Sequence, residues 1–583
     1  MYKKCYLGDK IRSNVFQMHL WEEDGEHQII EYENVAYQEC SEEEHTHRGL
    51  NGEFLKPQPK WFFSKNPDLK AKNTPGLHFH DMKPHQKFLV ERYGTNDVPS
   101  KGHREMFFDI EIEIGGALTE EYIESAPMPV TSIAWWDKQK DHWAILILDK
   151  KGQLSHTKTG PKKNKEIIPC ATENELLAKF VEVVRDIDPD ILVGYNSDYF
   201  DIPYLYYRMC RTIGKDWADH LSPIGKVNSK KGNKYFFKQN QYVDIVGIES
   251  LDYIRLHKKY SWKDEPSWKL DAIGEKYVGM KKVEYEGNLD QLFENDIHKF
   301  IQYNFVDVEI LQKLDEKLQY IALTKNLSHK GKHNYSEVYA NSISQDGAIS
   351  AYLLSQDIIP PPKEPHPQKK DSYAGGYLFC PKAGLYKYMF DEDLTSLYPS
   401  IIMSINIGKE TFVGRIVDAD ERNNRLGLND LKERDPEESL LVENSKRQQT
   451  NVTVGNLISI IESQKLAIAA NGSMFRTDKE AVLSTILKKW FKERVVYKNR
   501  MKEAYKSGDT EGGEYNHLMQ YTMKILLNSL YGATALPSFR YGMNFQTLSE
   551  AITLSGHRII QESALCANRH MNKVIRGELK LEL

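Results

Sequence analysis

The sequence predicts a multidomain protein of mixed α/β and α+β class, and three observations lead there. Its 583 residues exceed what one hydrophobic core holds together, so roughly three to five domains are expected. Strand-like and helix-like patterns alternate from about residue 105 to about residue 320, the order of an α/β domain. Further on, a helical pattern from Lys479 to Lys506 meets the polar turn Ser507-Gly508-Asp509, and a second runs through Leu530, which makes a helical hairpin.

Along the chain, residues 1–104 mix short strand-like runs with charged and aromatic residues. The texture changes at Phe107-Phe108-Asp109-Ile110-Glu111-Ile112-Glu113-Ile114, an apolar strand alternating with acids. The stretch Ile358 to Gln368 carries five prolines and reads as a linker. Residues 417–475 are polar and weakly patterned, and read as an insertion or a mobile region.

Composition narrows the class. Charged residues make up 28% and hydrophobic ones 40%, with no apolar run of transmembrane length and no signal peptide, so no membrane is expected. Six scattered cysteines without a Cys-x-x-Cys pair argue against a disulfide framework or a cysteine zinc site, and fit a reducing cytoplasm. A net charge of −5 does not by itself point to nucleic acid, since acidic metal sites and basic grooves cancel. Lysines cluster at Lys158–Lys165, Lys230–Lys238 and Lys488–Lys506. The first cluster reads as a solvated face. The third, with Arg494 and Arg500 at helical spacing, reads as a phosphate-binding face.

Acidic residues form one constellation. Asp109 and Glu111 are two apart on a strand, so both carboxylates project from one face. The run Val193 to Pro203 ends a strand and places Asp201 at the start of a helix. Tyr303 and Asp307 are four apart, on one helical face. Four carboxylates from three segments suit two Mg²⁺ ions, which are hard and prefer oxygen ligands. Two such ions activate a water and stabilise the leaving oxygen of a phosphodiester. The ordered set resembles the three motifs of proofreading 3′–5′ exonucleases, which have an RNase H-like fold. That resemblance implies Asp109, Glu111, Asp201 and Asp307 as metal ligands, with Tyr303 orienting the attacking water.

A second constellation joins Asp393-Leu394-Thr395-Ser396-Leu397-Tyr398-Pro399-Ser400-Ile401-Ile402 to Lys524-Ile525-Leu526-Leu527-Asn528-Ser529-Leu530-Tyr531-Gly532. Lys524, Asn528 and Tyr531 share one helical face, as do Arg494 and Lys498 on the preceding helix. These runs, with Ser250 to Lys259, resemble family B DNA polymerases from about residue 105 to the end, the T-even-like phage members most closely. The resemblance implies Asp393 and the Leu394 carbonyl as palm metal ligands, with two Mg²⁺ in each active site. Amides of Ser396, Leu397 and Tyr398 would cradle the triphosphate, and Tyr398 would exclude a 2′-hydroxyl. Arg494, Lys498 and Lys524 would meet the phosphates, while Asn528 and Tyr531 line the nascent base pair. Tyr373-Ala374-Gly375-Gly376 resembles the family's DNA-contacting motif between the two sites, where glycines allow close approach.

The same resemblance orders the domains. Residues 1–104 form the N-terminal domain and 105–320 the exonuclease, and 321–368 return to the N-terminal domain and end in the linker. The first part of the palm then spans 369–478, the fingers 479–536 and a truncated second part of the palm 537–583. It also implies primer–template DNA and dNTPs as ligands, a sliding clamp as a candidate partner, and the cytoplasm of a host if the gene is phage-encoded.

One feature departs from the pattern. No aspartate follows Asp509, so the family's Asp-Thr-Asp motif is missing, and so is the thumb. One aspartate is a poor cage for two Mg²⁺ ions, so this chain alone is not expected to polymerise DNA. Three readings stay open: the N-terminal part of a split polymerase completed by a C-terminal chain, a 3′–5′ exonuclease whose palm only holds DNA, or a non-enzymatic DNA-binding remnant. The intact four-carboxylate set speaks against the third. Tyr398, Arg494 and Lys524, which a pure nuclease does not need, favour the first.

Overall fold

A computed structural model describes residues 1–12, 14–58, 76–158, 165–231, 241–261, 264–364, 374–380, 382–385, 393–417, 426–536, 538–543 and 547–576. The chain folds as two compact units, Met1–Asn34 with Lys83–Ala340, and Val35–Met82 with Asn341–Leu583. Residues 1–104, expected as one domain, divide between them, as do residues 321–368. Strand pairing dictates this. Ile358–Ile359, inside the expected linker, pairs in parallel with His47–Gly49. It edges a five-stranded sheet that continues through Phe54–Gln58, Ala36–Glu39 and Leu77–His78.

The first unit is built on a seven-stranded sheet. Its strands are β1 (Glu105–Ile112), β2 (Val130–Asp137), β3 (His142–Leu148), β4 (Thr157–Lys158), β5 (Lys165–Cys170), β6 (Ile191–Gly194) and β7 (Glu249–Asp252), in the order β4-β5-β3-β2-β1-β6-β7. β1, β2 and β3 form an antiparallel meander, while β6 runs parallel to both β1 and β7. Helix α1 (Glu173–Ile187) begins where the Thr172 side chain accepts from the Glu175 amide. It buries Leu176, Leu177, Phe180, Val181 and Val184, a helical-period stripe, into a core with Phe108, Ile110, Trp135 and Leu146. Each such side chain contributes about 1.5–3 kcal/mol by leaving water. Helices α2 (Asp201–Thr212) and α3 (Ile297–Leu318) carry the remaining acidic residues of interest. Tyr2–Lys10, Val15–Glu22 and His27–Glu33 add a three-stranded antiparallel sheet.

In the second unit, helix α4 (Leu397–Ile405) precedes a second five-stranded sheet. Its strands are β8 (Phe412–Ile416), β9 (Ser439–Asn444), β10 (Gln449–Thr453), β11 (Leu466–Ile468) and β12 (Ser473–Arg476), with helix α5 (Val454–Ser463) between β10 and β11. Residues 417–475, expected as an insertion or mobile region, therefore supply most of an ordered sheet. Leu431, Leu440, Val454, Leu457, Ile461 and Met474 close its core. Strands of three to six residues show too few alternations for the pattern to be seen beforehand. Helices α6 (Val482–Ser507) and α7 (Thr510–Thr534) then form the expected hairpin. Gly508 stops α6 at φ +79°, and Asp509 starts α7 by accepting from the Gly512 amide at 2.9 Å. Helix α8 (Thr547–Ile575) follows. Among the described residues, no helix is long and apolar enough to cross a membrane.

Candidate active sites

The period of a strand sets Asp109 and Glu111 on one face of β1, and α3 brings Asp307 to them. One carboxylate oxygen of each lies within 4.8 Å of the others. Just beyond Glu111 the β1–β2 ladder slips register, and such a bulge turns side chains away from the regular pleat. Asp201 is the first residue of α2, and its Oδ1 accepts from the Ile110 amide at 3.3 Å, between the two strand acids. Three of the four expected ligands thus meet closely, and the fourth is tied from α2 to the backbone of the same strand.

Crowding sets the electrostatics. Burial, followed by the charges of Asp307, Glu111 and Asp201, raises the Asp109 carboxyl well above its ordinary range. Burial and the Asp307 charge push Glu111 up to about 8. Burial likewise pushes Asp201 up to about 7 and Asp307 to about 6. Lys282 answers this charge, pairing with Asp307 and donating to the Tyr303 hydroxyl at 3.0 Å. Burial disfavours the ammonium, but the Asp307 and Asp109 charges outweigh it and hold Lys282 protonated. The Tyr285 ring stands edge-on to Tyr303 at 5.5 Å. Asn304 donates to Asp109 at 2.8 Å, and its own carbonyl oxygen accepts from Ser132 at 2.7 Å, which fixes the amide's orientation. Sequence reasoning missed Lys282, Ser132 and Tyr285. A Lys281-Lys282 pair in a loop looks like any solvated charge, while Asn304 lies between the expected Tyr303 and Asp307.

The second constellation lies in the second unit. Asp393 and Leu394 precede α4, and Ser396 enters it in the left-handed conformation at φ +52°, which puts the Ser396, Leu397 and Tyr398 amides at the opening of the helix. The Tyr398 and Tyr531 rings meet at 4.5 Å. A methyl group on Gly556 of α8 would stand 3.1 Å from Tyr398 Cε1, and one on Gly376 would stand 3.6 Å from its hydroxyl. His557 donates to the Gly375 carbonyl at 2.6 Å. Tyr398, Tyr531, Gly375 and Gly376 are thus gathered against α8, a helix in the expected second part of the palm from which sequence reasoning drew no site residue. Tyr373 lies outside the described residues. Arg494 and Lys498 lie on α6, and Lys524 and Asn528 on α7. Arg494 Nε is enclosed without an acceptor among the described residues. Those residues bring three metal-ligand side chains together only at Asp109, Glu111 and Asp307, and Asp393 has no such company.

Comparison with known proteins gives the family. Residues 85–273 match the exonuclease domain of DNA polymerase family B, and residues 339–582 match DNA polymerase family B itself. The chain belongs to DNA polymerase family B. The DNA-directed DNA polymerase of Escherichia phage RB69 is 28% identical over 537 residues, which are 81% of this chain and 55% of that protein. That of Enterobacteria phage T4 is 26% identical over 436 residues, covering 71% and 48%. The DNA polymerase of Pyrococcus glycovorans is 25% identical over 352 residues, covering 57% and 40%. The chain spans about half the length of the curated relatives it matches.

Proposed function

We propose that the first unit is a 3′–5′ exonuclease on an RNase H-like sheet, and that the second carries a DNA polymerase palm (369–478 and 537–583) and fingers (479–536). The convergence of Asp109, Glu111 and Asp307 beside Asp201 supports the nuclease reading. These residues fit two divalent ions, because four crowded carboxyls with raised proton affinity exceed what one lysine offsets. Bound Mg²⁺ would supply an activated water and stabilise the leaving oxygen. Lys282 donates to the Tyr303 oxygen, so the phenol's own proton points elsewhere, where it orients the attacking water. Asn304 keeps Asp109 aimed at the same point.

In the polymerase reading, Asp393 and the Leu394 carbonyl hold metal, and the Ser396, Leu397 and Tyr398 amides hold the triphosphate. Tyr398 packs below the sugar, and Gly556 leaves room for its ring. Arg494, Lys498 and Lys524 meet the phosphates. Asn528 and Tyr531 line the base pair, and Tyr373, Gly375 and Gly376 contact DNA. Polymerisation also needs the Asp-Thr-Asp motif and the thumb, from a further segment of the polypeptide or from a second chain, with a sliding clamp as a further partner in the cytoplasm of a phage host. The second reading, a nuclease whose palm only holds primer and template, draws on Asp393 standing outside any group of three metal-ligand side chains among the described residues.

Digestion and dNTP-dependent extension of a primed DNA in Mg²⁺, by the chain alone and with a candidate C-terminal chain, separates the two. Extension only in the mixture supports the split enzyme, and digestion without extension in both supports the nuclease. Extension by this chain unaided overturns the account of Asp393.

A pH dependence follows from the raised carboxyls. They must lose protons to bind metal, so Mg²⁺ affinity rises between about pH 6 and 8, up to about tenfold per pH unit for each proton displaced. Calorimetry in buffers of different ionisation enthalpy should find proton release on Mg²⁺ binding at pH 6.5 and little at pH 9. Equal release at both would contradict the shifts.

A further inference from the structure

We propose that Asp252 is a positioning residue of the exonuclease site, holding the ligand Asp201 in place through the loop Tyr195–Phe200. The inference rests on the exonuclease reading. Asp252 ends β7 and is 1% exposed. Its Oδ1 accepts from the Ile254 amide at 3.1 Å, which caps the helix Tyr253–Tyr260. A cap needs nothing more, yet the same carboxylate reaches the loop after β6, accepting from the Asn196 amide at 2.9 Å and the Asp198 amide at 3.4 Å. β6 and β7 run in parallel with Gly194 opposite Asp252, so the reach is short.

What Asp252 holds is the turn that delivers Asp201. Asn196 stands at φ +66°, a strained conformation that needs outside support. Its carbonyl accepts from the Tyr199 amide at 3.1 Å and the Phe200 amide at 3.0 Å. The Ser197 carbonyl accepts from Ile202 at 3.0 Å, winding the chain into the first turn of α2. Asp201 then bonds Ile110, between Asp109 and Glu111. Two further side chains brace the loop from the same side. Ser250 Oγ donates to Asp198 at 2.8 Å, and Arg255 pairs with Asp198 while lying 3.7 Å over the Tyr339 ring. Ser250, Asp252 and Arg255 thus form a frame for residues 196–198, one loop away from the metal-facing carboxylate.

The test uses the full chain, single-stranded oligo-dT and titrated Mg²⁺. Asp252→Ser retains an oxygen for the helix cap but is too short to hold the loop, whereas Asp252→Asn retains one oxygen that reaches both the Ile254 and the Asn196 amides and gives up only the longer bond from the Asp198 amide. Asp252→Ser is expected to lower kcat about 10- to 100-fold and to raise the half-saturating Mg²⁺ concentration about tenfold, with KM for DNA changed less than about twofold. Asp252→Asn should stay within about threefold of the natural chain. Ser250→Ala, which frees Asp198 without touching the cap, should move kcat and Mg²⁺ half-saturation the same way, severalfold. A lower Tm with unchanged kcat and Mg²⁺ dependence in Asp252→Ser and Ser250→Ala would overturn the proposal. If the natural chain digests nothing, the exonuclease reading fails, and the positioning role is then read from Mn²⁺ affinity. Affinity weakened about tenfold in Asp252→Ser supports it, and equal affinity overturns it.

Discussion

Asp307→Ala is expected to lower Mg²⁺-dependent digestion of single-stranded DNA by on the order of 10³-fold or more, and Asp109→Ala equally. Each removes one of three carboxylates whose oxygens meet within 4.8 Å, and the remaining pair, with Asp201 alongside, is a poor cage for two ions. Tyr303→Phe and Lys282→Ala touch the set through one hydrogen bond or ion pair, so losses of about 10- to 100-fold are expected. Stability should move the other way. Glu111 is pushed up from its ordinary 4.5 to about 8 by burial and the Asp307 charge, so the stability its protonated form lends the fold is lost as pH rises between those two values and is gone at pH 8.5. Glu111→Gln stays neutral and should raise the metal-free Tm at pH 8.5 while abolishing digestion. Gel assays of labelled oligonucleotide and melting in EDTA read both quantities. Digestion that survives Asp307→Ala would sink the site assignment.

Arg540→Met is expected to destabilise the second unit by about 3–5 kcal/mol, the usual cost of stripping one partner from a buried ion pair. Arg540 is fully buried and donates to Asp346 at 2.8 Å, to Asp81 at 2.5 Å and to the Pro361 carbonyl at 2.6 Å. Burial alone would raise the Asp81 carboxyl, but the guanidinium, with His80 and Lys363, more than offsets it. Without Arg540, two carboxylates stay behind with weaker compensation from Lys363. For a unit of this size the loss corresponds to a Tm drop of roughly 10 °C. Adding Asp81→Asn and Asp346→Asn should restore more than half, since the penalty lies in the unpaired charges. A loss below about 1 kcal/mol, by denaturant melts of the full chain, would show that the network is not what joins these segments.

The two sites were legible to different degrees, for physical reasons. Asp109 with Glu111, and Tyr303 with Asp307, were readable because strand and helix periods are local and put residues two or four apart on one face. The helical hairpin was readable for the same reason, through Gly508 and Asp509 at its turn. Residues 417–475 were not, because their strands are too short to display a period and their core forms only when five strands and helix α5 meet.

The sequence by itself determined the family, the acidic residues of the candidate nuclease site, and the lack of an aspartate after Asp509, since each is carried by a run of neighbouring residues. Only the tertiary structure decided that Lys282 enters the acidic cluster, that Gly556 makes room for Tyr398, and that residues 35–82 fold with 341–583 rather than with the strands before them. Those contacts join residues from 25 to some hundreds of positions apart. They are fixed by burial and charge pairing in the finished fold, which leave no periodic trace along the chain.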